Sequence, residues 1–515
     1  MFCKVHSAQL LGVEGRMVCV EVDVSDGLPS FEMVGYLAAE VREAQERVWT
    51  ALRNSGFRLP PKRVMVNLSP ANERKEGTSF DLAVAVAVLK AYSVDEMELR
   101  EEWAFLGELG LDGSVRGIRG VLPMVESARE SGIKCCFIPE VNQLEGQMIE
   151  GMKIIGVSSL SEVADILSQK KNAKVHHFTP ALFAESFEEE EERDFSEVKG
   201  ELVLRRAAEV AAAGRHNLLM IGPPGTGKTM IARRISTILP KLSIEESLEI
   251  SKIYSAGGLL SEQMPLVTRR PFRSPHHTAT PQTLAGGGRI PRPGEVSLAS
   301  KGVLFLDELT EFKKSTLETL RQPLEERKIT VARLQGSCDF PADTMLVAAA
   351  NPCMCGFFPN RQVCKCSIRD VRRYLGKISR PLLDRIDIVV EAVPMRYEEL
   401  FQEEVQESSA QIRARVERAR KIQCSRFQGM EIHFNSEMQM KEWKMFCVLG
   451  EEEEKFLRHI FQNQTFNVRT YEKVLKLART IADLEERENI TVKDLSEAVF
   501  YRTTAQRYWG ESEML

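Results

Sequence analysis

The stretch Gly222-Pro-Pro-Gly-Thr-Gly-Lys-Thr229 decides the fold of the central part of this 515-residue chain. It has the pattern G-x-x-x-x-G-K-T, which is typical of a phosphate-binding loop. The apolar run 217–221 before it predicts a buried strand, and the amphipathic run 230–235 after it predicts a helix. This strand-loop-helix context is the one that the motif requires, so a chance glycine-rich turn is a poor alternative. We expect the loop to bind ATP through Gly222, Pro223, Pro224, Gly225, Thr226, Gly227, Lys228 and Thr229.

The end of the loop and a later strand have chemistry suited to a nucleotide with magnesium. The ammonium group of Lys228 can neutralise the β- and γ-phosphates, and the Thr229 hydroxyl can ligate Mg²⁺. The apolar run Gly302-Val-Leu-Phe-Leu-Asp-Glu308 ends in two carboxylates. We expect Asp307 to hold Mg²⁺, directly or through water, and Glu308 to polarise the attacking water.

Two further residues are candidates for the γ-phosphate side of the site. The apolar run 345–350 predicts a strand that delivers Asn351 to the carboxyl edge of the sheet, where α/β folds bind ligands. There Asn351 would orient the attacking water, and its alternative role is that of a turn former before Pro352. Arg385 fits an arginine finger supplied by a neighbouring subunit, with Arg380 as the second choice. The alternative for Arg385 is a surface salt bridge with a nearby aspartate.

The composition is that of a globular protein with several domains. The length predicts about three domains, and 43% hydrophobic with 28% charged residues is an ordinary balance. No apolar run reaches the ~18 residues of a membrane span, and the N-terminus has no signal-peptide pattern. We therefore expect a cytoplasmic protein with no membrane partner. The net charge of −5 means that nucleic acid must be bound by a local patch or a ring pore.

The first 170 residues predict a unit that mixes strands and helices. The runs 18–24 and 63–68 predict strands, the run 41–53 predicts a helix, and the run 80–89 predicts a buried helix. Asp112-Gly113 is typical of a hairpin turn. This order of elements indicates an α+β sandwich.

Several motifs together resemble the magnesium-chelatase-like branch of the AAA+ ATPases, and within it the competence-associated ComM/YifB family. They are Arg270-Pro-Phe-Arg-Ser-Pro-His-His277, Pro293-Gly-Glu-Val-Ser-Leu298, Leu304-Phe-Leu-Asp-Glu-Leu309, Asn351-Pro-Cys353 and Pro381-Leu-Leu-Asp-Arg-Ile-Asp387. The resemblance runs nearly end to end. It implies an α/β AAA+ P-loop motor with a helical lid, preceded by an α+β Lon-protease-like (ribosomal-S5-like) domain.

The resemblance divides the chain into four parts. Residues 1–170 form the Lon-protease-like domain, and 171–197 form an acidic linker that contains Glu188-Glu-Glu-Glu-Glu192. Residues 198–395 form the AAA+ magnesium-chelatase-like ATPase domain with a pore insert and a four-cysteine loop, and 396–515 form the helical lid. Ser79 falls at the serine position of a Lon protease, but the lysine position falls on Leu122. Because leucine cannot take a proton from a hydroxyl, we expect an inactive domain.

The same resemblance implies a function on DNA. Family members form ATP-dependent homohexameric rings that act as DNA translocases or helicases and promote branch migration during homologous recombination or DNA uptake, so single-stranded and branched DNA are the expected partners. Arg469 corresponds to an arginine that reaches the γ-phosphate. The span 255–300 corresponds to an insert aimed at the pore, where positive charge would grip phosphates. The arginines of this span that would supply the positive charge are Arg269, Arg270, Arg273, Arg289 and Arg292.

Two other functions remain open from the sequence. One is a magnesium-chelatase-type ATPase subunit that remodels a protein partner, and the other is an ATP-driven unfoldase. Lys328 and Arg333 lie in a predicted hairpin and are candidates for DNA contact or for plain solvated charges. The basic amphipathic run 408–420 in the helical C-terminal unit has the same two alternatives, and Arg479 is expected to serve packing or a salt bridge.

Four cysteines form a C-x-C…C-x-C pattern across a short loop. Four thiolates on two close knuckles suit a tetrahedral structural Zn²⁺, although this spacing is tighter than the usual two-residue gap. Free thiols are the alternative. The expected ligands are Cys353, Cys355, Cys364 and Cys366. His276-His277 is a weaker metal candidate, because adjacent residues of a strand point to opposite faces.

Overall fold

The computed structural model describes residues 1–92, 96–178, 193–261, 264–288, 291–333, 336–394, 406–463 and 467–510. The acidic run 188–192, Arg289 and the expected boundary at 395–396 lie outside the described residues, as do positions 334 and 335 of the predicted hairpin.

Nineteen strands lie in these described ranges. They are β1 Phe2–Leu11, β2 Glu14–Ser25, β3 Ser30–Val34, β4 Arg63–Ser69, β5 Trp103–Phe105, β6 Glu108–Leu109, β7 Val115–Arg116, β8 Cys135–Pro139, β9 Lys153–Val157, β10 Val175–His176, β11 Leu218–Ile221, β12 Phe272–Arg273, β13 Gly286–Gly287, β14 Arg292–Pro293, β15 Val303–Leu306, β16 Lys328–Arg333, β17 Gly336–Pro341, β18 Met345–Ala350 and β19 Ile388–Glu391.

Twenty α-helices lie in the same ranges, and none of them is long and apolar enough to cross a bilayer. They are α1 Ala39–Arg42, α2 Ala44–Asn54, α3 Asp81–Ala91, α4 Val121–Glu130, α5 Gln143–Gly146, α6 Leu160–Leu167, α7 Leu202–Gly214, α8 Lys228–Ile238, α9 Ile244–Gly257, α10 Pro281–Ala285, α11 Glu295–Leu298, α12 Lys314–Glu318, α13 Arg321–Glu326, α14 Ile368–Leu375, α15 Arg380–Leu383, α16 Ser409–Arg426, α17 Met440–Phe446, α18 Glu451–Asn463, α19 Val468–Leu484 and α20 Val492–Trp509.

The N-terminal unit is an eight-stranded mixed sheet in the order β10-β9-β8-β5-β1-β2-β4-β3. In β2 the valines at 18, 20, 22 and 24 are buried, which confirms the period-2 prediction for that strand. Every residue of helix α3 except Lys90 is buried, also as predicted, and β6 pairs with β7 to form the predicted hairpin. The helix predicted over 41–53 is interrupted at Glu43 and forms α1 and α2. The sheet continues past residue 170, because β10 pairs with β9.

The central unit is a five-stranded parallel sheet in the order β12-β15-β18-β11-β19. Strands β11, β15 and β18 are buried along their whole length, as near-continuous apolar runs in a parallel sheet require. β11 lies between β18 and β19, with Ile221 opposite Ala350 on one side and Glu391 on the other. This parallel α/β sheet agrees with the predicted class, and its carboxyl edge is where a ligand is expected.

The C-terminal residues form helices α16 to α20, and they share one apolar core with α7, α8 and β11. Several charged side chains of the basic helix α16 form ion pairs with other residues of the chain. Arg415 pairs with Glu209, Arg426 with Asp483, and Arg418 with Glu486. These arginines are therefore engaged within the chain.

The N-terminal unit docks on the central unit through α9, whose last residues, 255–257, begin the predicted insert. The buried carboxylate of Glu145 accepts hydrogen bonds from the Leu122 N–H (3.0 Å) and from the Ser255 hydroxyl of α9 (2.5 Å). Lys252 of α9 forms an ion pair with Glu126 of α4 at 2.5 Å. Burial raises the pKa of Glu145, and the hydrogen bonds oppose that rise. The two units are thus joined by a buried polar contact.

The predicted hairpin before the sensor strand is formed by β16 and β17. Lys328 is half-exposed and lies 3.4 Å from Asp339 across the hairpin. The N-terminal unit also contacts this hairpin, because a methyl group on Gly12 would lie 3.3 Å from the Cys338 Cβ. The hairpin and α9 are therefore both in contact with the N-terminal unit.

Candidate nucleotide site

The phosphate-binding loop connects β11 to α8 at the carboxyl edge of the parallel sheet. The Lys228 ammonium group donates to the backbone oxygens of Gly222 (2.8 Å) and Pro223 (2.6 Å) and contacts the Thr226 hydroxyl at 3.2 Å. Burial lowers the pKa of Lys228 to about 8, and the nearby Asp307 opposes that effect. A phosphate group would supply the negative charge that the backbone oxygens do not, so the loop fits an anion such as a nucleotide phosphate.

Thr229 and Asp307 lie together at the start of α8 and the end of β15. The Thr229 hydroxyl donates to the Asp307 carboxylate at 2.8 Å. A hydroxyl and a carboxylate oxygen in contact are hard oxygen ligands of the kind that Mg²⁺ takes beside nucleotide phosphates. The structure therefore brings together the two residues predicted to hold Mg²⁺.

Glu308 follows Asp307 with a left-handed backbone, at φ 50° and ψ 48°. This conformation costs a non-glycine residue about 1–2 kcal/mol, and such strain concentrates at functional sites. The Glu308 carboxylate lies 3.3 Å from the Nδ1 atom of His277. The strained turn and the histidine together fix where this carboxylate points.

For the pair His276-His277 the sequence favours a structural or nucleotide-proximal role over a metal site, without naming His277 as a partner of Glu308. The rings of His276 and His277 lie 4.1 Å apart, so the expectation that they point to opposite faces is wrong. That expectation assumed a strand, whereas both residues lie in the loop after β12. In the sequence, both histidines stand at the end of the motif 270–277. That motif contains β12, which lies next to β15 in the sheet.

Asn351 immediately follows β18, the strand between β11 and β15. The Gly222 N–H donates to the Ala350 oxygen at 3.1 Å, which ties the start of the phosphate loop to the end of that strand. Asn351 is therefore placed at the same edge of the sheet as the loop and the two carboxylates, as the prediction requires.

Arg385 and Arg469 lie at the opposite, amino edge of the sheet. They line an open polar cavity of about 310 Å³ together with Asn217 and Asp387, which immediately precede β11 and β19. Arg385 donates to the Pro381 oxygen at 2.7 Å and pairs with Glu325 rather than with a neighbouring aspartate. The structure thus does not bring Arg385 to its own chain's phosphate loop.

The position of Arg469 differs from the expectation that it reaches the γ-phosphate of its own chain. Its guanidinium group lies 3.3 Å from Asp384, the residue before Arg385. One helical turn later, Lys473 pairs with Asp387 at 3.2 Å, and this pair holds α19 at the amino edge of the sheet. Burial raises the pKa of Asp387, but Lys473 and His216 outweigh it and hold that pKa well below its usual range. Arg479 is buried in an ion pair with Asp483, as predicted.

Two of the five arginines in the predicted positive cluster are neutralised by carboxylates. Arg270 is mostly buried and pairs with Glu246 at 2.9 Å, while Arg273 forms two hydrogen bonds to Glu295 at 2.7 and 2.8 Å. The prediction that these two arginines grip phosphates is therefore wrong, since each is satisfied by its own carboxylate. Arg269 and Arg292 are exposed.

The four predicted zinc ligands come together in one cluster. Their sulfur atoms all lie within 4.8 Å of one another. The Cys353 sulfur is 3.3 Å from that of Cys355 and 3.8 Å from that of Cys364. Four thiols at such separations fit the donor set of a tetrahedral soft metal.

The Lon-like unit shows no serine–lysine pair around Ser79 in its described residues. The Ser79 hydroxyl is buried and donates to the Ala8 oxygen at 2.8 Å. Lys75 is fully buried and donates to the Pro70 and Glu73 oxygens, and burial lowers its pKa. Each group is occupied by a backbone oxygen, as an inactive domain predicts.

Comparison with known proteins agrees with this architecture. The chain matches the families described as "Magnesium chelatase, subunit ChlI" over 194–400, "Subunit ChlI of Mg-chelatase" over 20–142 and "Magnesium chelatase, subunit ChlI C-terminal" over 406–502. It is 30% identical over 170 residues to "Lon protease 2" of Bacillus subtilis, which covers 31% of this chain and 30% of that protein. Membership of the magnesium-chelatase-like AAA+ class implies ATPase activity with ATP and Mg²⁺.

Two relatives match along nearly their full length. "Competence protein ComM" of Haemophilus influenzae is 37% identical over 502 residues, which is 97% of both chains. "Uncharacterized protein YifB" of Escherichia coli K12 is 39% identical over 500 residues, which is 97% of this chain and 96% of YifB. On this identity, the chain belongs to the ComM/YifB family of magnesium-chelatase-like AAA+ ATPases.

Proposed function

We propose that this chain is an ATP-dependent DNA translocase or helicase that works as a ring-shaped homohexamer and promotes branch migration during homologous recombination or DNA uptake. The observation that carries the proposal is the division of the site between two edges of one sheet. Lys228, Thr229 and Asp307 lie at the carboxyl edge, whereas Arg385 and Arg469 lie at the amino edge. A complete pocket then needs the amino edge of a neighbouring copy.

Within this pocket each residue has a separate role. Lys228 and the loop N–H groups bind the phosphates, and Thr229 and Asp307 ligate Mg²⁺, which neutralises charge on the phosphate oxygens. Glu308, oriented by His277, accepts the proton of the attacking water, and Asn351 orients that water. Arg385 of the neighbour stabilises the charge that develops in the transition state. We propose that Arg469 acts with Arg385 from the neighbour, because it lies beside Asp384.

The assignment to DNA rests on the relative named a competence protein and on the ring proposed here. The exposed Arg269 and Arg292 and the half-exposed Lys328 are the cations that would meet the phosphate backbone, since phosphate contacts dominate such affinity. Helices α16 to α20 would form the lid, whose movement transmits the nucleotide state. The alternatives are a chelatase-type remodelling subunit and an unfoldase, and both would act on a protein partner.

The function is tested by measuring ATP turnover with and without DNA. We expect forked and four-way DNA to raise the turnover rate and labelled strands to be displaced only when ATP and Mg²⁺ are present. Duplex DNA without a branch is the matched control. Turnover that is indifferent to every DNA, in a preparation that hydrolyses ATP, would contradict the translocase and favour the remodelling subunit.

We also propose that the four-cysteine cluster holds one structural Zn²⁺. We expect about one zinc per chain, measured by elemental analysis, and loss of that zinc in Cys364→Ser. Cys424→Ser is the control, because Cys424 is an exposed thiol outside the cluster. Metal-free wild-type protein that takes up no zinc on refolding would rule out the site.

A further inference from the structure

The four-cysteine loop is in direct contact with the phosphate-binding loop. Gly356, the residue after Cys355, has a left-handed backbone with φ +85°. A methyl group on Gly356 would lie 2.6 Å from the Cδ atom of Pro224, which is closer than real Cβ atoms approach a neighbour. Pro224 is the third residue of the phosphate loop, so the backbone at Gly356 packs directly against that loop.

The position of Gly356 is set by the cysteine cluster. The Gly356 N–H donates to the Cys353 oxygen at 3.0 Å, so residues 353–356 form a tight turn that contains the first two cysteines. Cys353 is fully buried and Cys364 is 5% exposed, so this half of the cluster is anchored in the core of the central unit. A metal ion bound to Cys355 would join the glycine to that anchor, whereas without the ion only the backbone turn holds it.

The same loop also continues from the sensor strand. Cys353 lies two residues after Asn351, and the end of that strand accepts a hydrogen bond from Gly222 at the start of the phosphate loop. The cluster therefore contacts the nucleotide site from two sides, through Pro224 and through the backbone that carries Asn351.

We propose that the metal held by Cys353, Cys355, Cys364 and Cys366 keeps the phosphate loop in its nucleotide-binding conformation, so that nucleotide affinity depends on metal occupancy. This inference rests on the proposed zinc site and on the proposed ATPase. The cluster is then a control point for ATP binding as well as a stabiliser of its own loop. A loop that holds its binding conformation a tenth of the time without metal would bind nucleotide about tenfold more weakly.

The first test is the affinity of the full-length protein for ADP, measured by isothermal titration calorimetry with excess Mg²⁺. We compare three preparations. They are protein as purified, protein stripped of zinc with a thiol-reactive mercurial that is then displaced by excess thiol and removed by desalting, and stripped protein reloaded with Zn²⁺. We expect a loss of affinity of about tenfold on stripping and its recovery on reloading. Circular dichroism and thermal unfolding check that the stripped protein stays folded.

The second test separates the contact from the metal. Gly356→Ala adds a methyl group against Pro224 and leaves all four cysteines in place, so we expect normal zinc content with weakened ADP binding. Gly132→Ala is the matched control, because Gly132 has φ +86° and nothing within 4 Å of the added methyl group. It carries the same backbone strain without the contact, and we expect its ADP affinity to be that of the wild type.

The outcomes distinguish this inference from the proposals beneath it. Protein that binds ADP equally well with and without bound zinc, together with wild-type affinity in Gly356→Ala, overturns the inference alone. Protein that never holds zinc overturns the metal site and the inference together. Zinc-loaded protein that binds no ADP overturns the ATPase itself.

Discussion

Replacing Glu308 with glutamine is expected to lower steady-state ATP turnover by about 10²–10⁴-fold while ATP binding is retained. Glutamine fills the same space but cannot accept a proton from water. Lys228, Thr229 and Asp307 are the residues proposed to hold the phosphates and Mg²⁺. The hydrogen bonds from Lys228 to the Gly222 oxygen and from Thr229 to Asp307 involve no Glu308 side-chain atom. The measurement is turnover with excess Mg²⁺, combined with a direct nucleotide-binding titration.

The matched control for Glu308 is Glu311→Gln. Glu311 is a carboxylate three residues further on, and its ion pair is with Lys377 at 3.7 Å. We expect turnover close to that of the wild type in this control. Normal turnover in Glu308→Gln would show that another group accepts the proton and would remove Glu308 from the catalytic set.

Removing the guanidinium group in Arg385→Ala is expected to lower turnover by about 10³–10⁵-fold, the range for loss of an arginine finger. In a single chain this side chain pairs with Glu325 at the amino edge of the sheet, so it cannot serve the loop at the carboxyl edge. The direct measurement is turnover of a mixture of Arg385→Ala and Lys228→Ala chains, each inactive alone. We expect partial recovery, because some interfaces join an intact loop to an intact arginine.

The control mixture is Lys228→Ala with Glu308→Gln. Both changes damage the same half of the pocket, so every interface stays defective and no recovery is expected. Arg469→Ala follows the same logic. Recovery on mixing with Lys228→Ala would place Arg469 on the neighbour's side, whereas recovery on mixing with Arg385→Ala would place it with the phosphate loop. Absence of recovery in the Arg385→Ala and Lys228→Ala mixture would contradict a shared pocket.

The parts of the site that the sequence predicts are those that depend on local pattern. An apolar strand followed by the phosphate loop, and another followed by Asp307 and Glu308, can be read directly, because strand ends of a parallel sheet meet at one edge. The contact between Glu308 and His277 joins residues 31 positions apart and depends on how the loop after β12 folds back. No periodicity carries that information.

The charges of the basic insert, by contrast, are not predicted correctly from the sequence. Arg270 and Arg273 look like free positive charge in the sequence, but Glu246 and Glu295 neutralise them after folding. The location of Arg469 differs from the expected one for a similar reason, because it follows from how α19 packs at the amino edge through Lys473 and Asp387. Charge and motif are visible in a sequence, whereas the partner of each charge is decided by tertiary packing.

The contact between Glu145 and Ser255 bears on the resemblance of the N-terminal unit to a protease. Leu122, at the position that corresponds to the lysine of a working protease, donates its N–H to the same carboxylate that holds the motor. Its side chain lies in a buried apolar cluster. A lysine at position 122 would put a cation into that cluster, where it would compete with Ser255 for the Glu145 carboxylate. The leucine at this place therefore leaves the Glu145 carboxylate available to the Leu122 N–H and to the Ser255 hydroxyl of the central unit.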